Sequence, residues 1–528
     1  MDFDWRLPYP SRRVPLLARN AVATTQPLAA QAGLRMLLRG GNAVDAALAC
    51  AIALTVVEPV SNGIGGDAFA MVWDGERLHG LNASGRAPAA WTPQRFAGLE
   101  AMPERGWDTV TVPGAVSAWI EMSGRFGRLP FQELFVPAIE YARDGFPVAP
   151  DVARQWKMQA DILAAQPGFA EAFLPGGGAP AAGEMFRFPE QARSLVRIAE
   201  TGGEAFYRGD LAQRLTDHAR ERGGALTRED LAAHRADWVV PLGLDYRGVT
   251  LHELPPNGQG LAALMALSLL ARRNLGDLPV DSAESVHLQL EAMKLAFADV
   301  YRHVGDPAAM GVQPQALLDP GYLERRAQRI DPDCAQEFGH GLPPDSGTVY
   351  LAAADAAGGM VSYIQSNYNG FGSGIVVPGT GIALHNRGRA FSLQAGHPNR
   401  VSPGKRPFHT ILPGFVTRGG RPLMSLGVMG AAMQPQGHVQ MMVRIFDHGQ
   451  NPQAACDAPR WRVMDGLEVW IEPGYPEQTL DGLRRRGHRL ALAKPPSLDF
   501  GAAQMIYRLD GAYLAASESR RDGQAVGF

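Results

Sequence analysis

Two short apolar runs joined by a glycine turn constrain this chain more than any other feature. The first is Thr348-Val349-Tyr350-Leu351-Ala352-Ala353-Ala354, preceded by Asp345-Ser346-Gly347 and closed by Asp355. The second, Met360-Val361-Ser362-Tyr363-Ile364-Gln365-Ser366-Asn367, follows a Gly358-Gly359 turn. The β-branched and aromatic content of both runs predicts strands. A glycine-rich stretch, Gly370-Phe371-Gly372-Ser373-Gly374, comes directly after. Thr348 heads the first strand, and β-branching alone would explain a threonine there. A threonine is also a good nucleophile once its own α-amine is free to act as general base. Cutting the Gly347–Thr348 bond would free that amine, so the pattern suggests a proenzyme.

The rest of the composition narrows the class. The chain has 528 residues, 46% hydrophobic and 20% charged, enough for a large packed core. A net charge of -3 gives no electrostatic argument for nucleic acid or an anionic membrane as partner. Cys50, Cys334 and Cys456 are far apart, and their odd number argues against a disulfide framework. Histidines such as His397, His409 and His438 are scattered, without HExxH or Cys/His spacing, so no metal is expected. The N-terminus lacks an apolar signal region, and the longest apolar run, 46–57, suits a buried helix better than a membrane span. The expected location is cytoplasmic.

Helical periodicity covers 28–38 and ends at Gly40-Gly41, a plausible C-cap. Asn42 can cap the next helix, with Asp45 in its first turn. That helix is apolar on every side and should be internal. A glycine loop, 62–67, precedes a strand at 68–73. Further helices are expected at 115–126, 131–143, 190–200, 212–222 and 282–303, and a turn at 255–260. Segment 331–347 reads as an exposed connector. The mixture indicates an α+β arrangement of stacked layers.

Seven segments, in order along nearly the whole chain, resemble the gamma-glutamyltranspeptidase family of N-terminal-nucleophile hydrolases. They are Gly40-Gly41-Asn42-Ala43-Val44-Asp45-Ala46-Ala47, Val57-Glu58-Pro59, Gly63-Ile64-Gly65-Gly66, Glu291-Ala292-Met293-Lys294-Leu295-Ala296-Phe297-Ala298-Asp299, the Gly347-Thr348 junction, Phe371-Gly372-Ser373-Gly374 and Asp457-Ala458-Pro459-Arg460. The resemblance implies a four-layer αββα sandwich. It implies self-cleavage before Thr348 into a large subunit (1–347) and a small one (348–528) that stay in one interleaved globule; a homodimer is compatible with it. It implies no metal or organic cofactor. The partners would be a small amide substrate and a water or amine acceptor. Gly347 lacks a Cβ, so the Thr348 hydroxyl can approach its carbonyl closely.

The same resemblance assigns roles. Ser366 takes the second hydroxyl position beside the nucleophile. Gly430 and Ala431 match the glycine pair whose amides form an oxyanion hole, with Ala431 departing from glycine; one such donor contributes on the order of 3 kcal/mol. His409 and Thr410 stand where better-known members place two carboxylate-binding serines. Where those members hold the substrate's α-ammonium with an acid, this chain has Ala390, and it adds Arg387. Tyr368 replaces an expected asparagine, with Asn367 beside it. The carboxylate-binding arginine is displaced: an ungapped match falls on Ser84, with Arg86 two positions on. Segment 394–406 is short, so the pocket should be open. These departures resemble a subgroup containing glutathione-hydrolase-like proteins and oxamate amidohydrolase. They imply an amidohydrolase or acyltransferase whose donor is a γ-glutamyl compound or a compact acid amide. Alternatives are a cephalosporin or glutaryl acylase-like enzyme and a silent binding paralogue.

Overall fold

The chain folds around two seven-stranded sheets stacked face to face, with helices covering both outer faces. A computed structural model describes residues 12–338, 347–494, 497 and 499–528. The first sheet runs Gln524–Gly527, Ala21–Thr24, Gly347–Ala354, Met360–Tyr368, Asp67–Trp73, Leu78–Asn82 and Asp237–Val239. The second runs Leu16–Ala18, Tyr513–Ser517, Ala503–Arg508, Arg421–Val428, Gly414–Arg418, Val249–Glu253 and Leu242–Tyr246. This is the expected four-layer αββα sandwich.

Strand alternation explains the layering. In Gly347–Ala354, Val349, Leu351 and Ala353 face the helical layer, while Tyr350, Ala352 and Ala354 face the second sheet. The strand is therefore buried on both sides. Fully burying one large aliphatic side chain is worth about 1.5–3 kcal/mol, so a two-sided apolar strand holds the centre of the sheet firmly. Chain segments from both sides of Gly347 alternate across the two sheets, so neither half has a core of its own.

The outer layers follow the same logic. Helix Ala43–Val57 is buried along its whole length, as its all-round apolar sequence requires. Asn42 caps it through the N–H groups of Val44 and Asp45, and Asp45 answers onto the Asn42 N–H. Helices Leu261–Leu270, Ala283–His303 and Met433–Phe446 cover the second sheet. Several expectations need adjustment. Segment 131–143 splits into a 3-10 turn, Phe131–Phe135, and a helix, Val136–Asp144, because Pro137 fits only a helix's first turn. The buried helix Met433–Phe446 is not among the helices expected from the sequence. Of the connector, 339–346 lies outside the described residues, and Ala335, just before it, is buried. No helix among the described residues is long and apolar enough to cross a membrane.

The sheets meet tightly at one glycine. A Cβ on Gly427 would overlap the Tyr350 ring, whose hydroxyl bonds Ser362 Oγ at 2.8 Å. Gly427→Ala should cost roughly 1–3 kcal/mol in urea unfolding. Combining it with Tyr350→Leu should cost clearly less than the sum of the two single changes. Strict additivity would show that the two sheets do not meet at this contact.

Candidate active site

The site begins with an irregularity in the central strand. The ladder pairs Gly347 with Tyr368 and Val349 with Gln365, so the register slips at Thr348. Such a bulge re-aims a side chain next to active sites. Thr348 is fully buried in the intact chain, and its hydroxyl donates to Ser366 Oγ at 3.3 Å. Ser366 Oγ also accepts from the Tyr368 N–H at 2.8 Å and from Arg387 Nη2 at 3.3 Å.

Arg387 joins these groups to the next loop. Its Nη1 donates to Thr410 Oγ1 at 2.9 Å, and its guanidinium lies 4.2 Å from the Tyr368 ring centre. The side chain is fully buried, and its Nε has no hydrogen-bond partner among the described residues. Burial pulls its pKa down to about 10, which leaves it charged at neutral pH. Ala390 closes the same short turn, Arg387–Ala390, and brings no carboxylate.

The oxyanion candidates stand on the loop entering helix Met433–Phe446. Gly430 has φ +115° and Ala431 φ +49°. Alanine does accept the left-handed conformation here, at a cost of about 1–2 kcal/mol. Neither residue's N–H has an acceptor among the described residues. The Ala431 carbonyl is held by Gln259 Nε2 at 2.9 Å, and the same amide holds the Thr410 carbonyl at 2.6 Å. Gln259 therefore couples this loop to the Arg387–Thr410 group. Tyr368 (φ +75°) and Phe371 (φ +55°) are also left-handed, so strained backbone concentrates around Thr348.

Two expected residues stand elsewhere. Arg86 is half exposed and faces Asp306 Oδ2 at 3.4 Å, Asp237 Oδ2 at 3.9 Å and the Gly404 carbonyl at 3.2 Å. These acids and this carbonyl engage its guanidinium, and among the described residues it forms no hydrogen bond with Thr348. Ser84, the ungapped match, is turned inward onto Asn82 Oδ1 at 2.7 Å. His409 is buried, with Nε2 3.1 Å from Asp67 Oδ2, and its Nδ1 accepts from the Ile411 N–H at 3.4 Å. Both ring nitrogens are engaged, so His409 positions Thr410 rather than offering a donor to substrate.

Asp67 is what the sequence reading missed. It pairs with Ser366 in register across the sheet. Its Oδ1 accepts from the N–H groups of Gly85 and Gly114, both at 3.1 Å, and His385 Nδ1 lies 3.4 Å from Oδ2. Burial alone would raise its pKa, but the imidazoles of His385 and His409 hold it well below the usual carboxylate range. The available signal was an acid at the end of Gly63-Ile64-Gly65-Gly66. Gly66 itself approaches the Ser366 carbonyl so closely that a Cβ would collide with it.

Among the described residues, His287, Glu291 and His488 offer metal-ligand atoms within 4.8 Å of one another. Lys294 Nζ stands 2.5 Å from Glu291 Oε1 and already supplies the cation. None of the three hydrogen-bonds to Thr348, Ser366 or Arg387.

The Asp67–His409 contact gives a pH prediction. Burial, with the Arg387 charge nearby, lowers the His409 pKa to about 3, while the unfolded imidazole protonates near 6.5. The stability contributed is full above pH 6.5 and is lost as pH falls through that window. His409→Asn should destabilise at pH 7.5, and the gap to wild type should narrow by about 2 kcal/mol at pH 5. Melting curves at the two pH values check this; a gap that stays constant contradicts it.

Comparison with known proteins agrees with this fold. Residues 29–528 match the family model for gamma-glutamyltranspeptidase. The glutathione hydrolase-like YwrD proenzyme of Bacillus subtilis is 37% identical, covering 97% of this chain and 98% of that protein. The oxamate amidohydrolase proenzyme of Klebsiella pneumoniae is also 37% identical, covering 95% of this chain and 97% of that protein. The crystal structure of cephalosporin acylase from Bacillus halodurans superposes with a TM-score of 0.95 at 47% identity, over 100% of this chain and 99% of that one. With its two-sheet sandwich and these matches, the chain belongs to the gamma-glutamyltranspeptidase family of N-terminal-nucleophile hydrolases.

Proposed function

We propose that this chain is a proenzyme that cuts its own Gly347–Thr348 bond and then hydrolyses small amides whose acyl half carries a carboxylate. The observation that carries the substrate class is Arg387, a fully buried guanidinium with no carboxylate partner among the described residues, bonded to the hydroxyl that holds Thr348. An uncompensated buried charge costs on the order of 3–5 kcal/mol. The nearby Asp67 charge, the Tyr368 face and two hydroxyls offset part of that, and an anionic substrate would offset the rest.

The chemistry follows from the positions. Thr348 Oγ attacks the Gly347 carbonyl; the C–N bond breaks, leaving an ester and a free Thr348 amine. Water hydrolyses the ester and releases residues 1–347 as the large subunit, with 348–528 as the small one. In turnover the α-amine takes the Thr348 hydroxyl proton as Oγ attacks the substrate amide. The Gly430 and Ala431 N–H groups receive the tetrahedral oxyanion. The amine leaves with the proton, and water, or a second amine, takes the acyl group from Thr348. Arg387 and Thr410 hold the acyl carboxylate. No step draws on a metal or organic cofactor.

A compact acid amide or a γ-glutamyl compound fits this site as donor. The names of the relatives span those two donors and cephalosporin acylation. With Ala390 in place of an acid, the site favours donors lacking an α-ammonium.

Two outcomes test this reading. The purified protein should give two bands on a denaturing gel, the smaller beginning Thr-Val-Tyr-Leu. Thr348→Ala should give one band and no turnover, and Thr348→Ser should keep part of both; an active Thr348→Ala would overturn the mechanism. A glutaryl anilide should have kcat/KM at least equal to its γ-glutamyl counterpart. Arg387→Ala should lower the anionic donor more than a neutral amide, by roughly ten- to a hundredfold for the lost charge-assisted bond. A clear γ-glutamyl preference that Ala390→Asp does not raise would refute the substrate argument and leave the nucleophile standing.

A further inference from the structure

A cavity of about 720 Å³ opens beside Gly430 and the Asn369–Gly370 turn. Asn369 follows Tyr368, whose ring covers Arg387, so the cavity begins where the acyl pocket ends. Gly430, whose N–H has no acceptor among the described residues, lines the cavity. A scissile amide bound with its acyl carboxylate on Arg387 and its carbonyl oxygen on Gly430 would direct its amine half into this space.

The lining has a marked sign. Arg105, Arg154, Arg462, Arg521 and Lys494 face Glu468 and Asp499. Asp151, behind the wall, engages Arg154 and Arg521, and Asp499 lies 3.8 Å from Arg462, which leaves Arg105 and Lys494 as the cations to account for. Glu468 accepts from Trp470 Nε1 at 2.7 Å. Arg105 hydrogen-bonds only neutral acceptors among the described residues: the Gly370 carbonyl at 2.9 Å, the Gly372 carbonyl and Gln159 Oε1 at 3.3 Å. Lys494, exposed at the rim, has no ion pair among the described residues. A chain of net charge -3 thus gathers cationic excess around one cavity. Low-dielectric walls focus such a field on an anion. Apolar side chains complete the wall: Trp470, with Met158 and Leu492, which remain 54% and 53% exposed. Large apolar groups that line a concavity and stay exposed mark a surface to be covered.

We propose that this cavity is a leaving-group subsite selecting flat, apolar amines that carry a carboxylate of their own. The proposal rests on the amidohydrolase reading above. It adds a second anionic contact, on the amine side of the scissile bond, supplied chiefly by Arg105 and Lys494.

The test compares two substrates with the same acyl group on the processed enzyme: glutaryl 4-nitroanilide and glutaryl 3-carboxy-4-nitroanilide. The carboxylated anilide should have the higher kcat/KM by about tenfold, the gain of one charge-assisted contact. The advantage should shrink with added salt. The double variant Arg105→Gln with Lys494→Gln keeps polar side chains but removes both charges, and should bring the ratio close to one. Free 5-amino-2-nitrobenzoate should bind wild type more tightly than 4-nitroaniline or glycine, measured by equilibrium dialysis. Equal kcat/KM for the two anilides, or a preference the double variant leaves intact, overturns the subsite. If neither anilide is cleaved, the acyl-donor reading fails and dialysis decides the subsite alone: selective retention of the aminobenzoate supports it, and equal retention of all three overturns it.

Discussion

One buried carboxylate organises the site. Asp67 sits opposite Ser366 on the neighbouring strand and takes N–H groups from Gly85 and Gly114 on one oxygen. On the other it meets His409, with His385 close by. Four separate segments converge on this one side chain. Burying a charge is expensive, and the bonds that offset the expense are the ones that fix those segments in place. His409 in turn sets Thr410, and Thr410 meets Arg387, which reaches back to Ser366. The Thr348 hydroxyl is placed at the end of this circuit without itself touching a charge.

The circuit also explains where the fold tolerates strain. The ladder slips at Thr348, and Tyr368, Phe371 and Ala431 take left-handed conformations that side chains disfavour. Such features persist only where surrounding structure over-determines them. Here that structure is two sheets packed through Tyr350 and Gly427, with an all-buried helix behind them. Strand Gly347–Ala354 is hydrogen-bonded to a strand from each side of the proposed cut, Ala21–Thr24 and Met360–Tyr368. Severing the bond after its first residue leaves the pairs from Val349 to Ala354 in place on both sides, so the two products have every reason to stay together.

Much of this was legible in the chain. Period-two alternation gave both central strands, and all-round apolarity gave the buried helix with its Asn42 cap. Thr348, Ser366, Arg387 and Thr410 do converge. The limits had physical causes. Most strands of the second sheet have five residues or fewer, so periodicity had little length to act on. The helix Met433–Phe446 carries Pro435 and Gly437, both poor helix formers, and packing overrides them: a Cβ on Gly437 would overlap Val428. Arg86 looked suitable by type, but its ion-pair partners Asp237 and Asp306 are remote in sequence and could not be read from it. Asp67 and Gln259 act through contacts with distant segments; the glycine run before Asp67 marks its place in the chain but not the partners that give it its role.

The central claim is that Thr348 becomes the N-terminal nucleophile. Its most direct measurement is mass spectrometry of the small chain, quenched during turnover of a slowly deacylated amide. The account predicts a chain beginning at Thr348 that gains the mass of the acyl group, with fragmentation placing the adduct on that first residue. An acyl group on any other residue, or an adduct on an intact 528-residue chain, would contradict it.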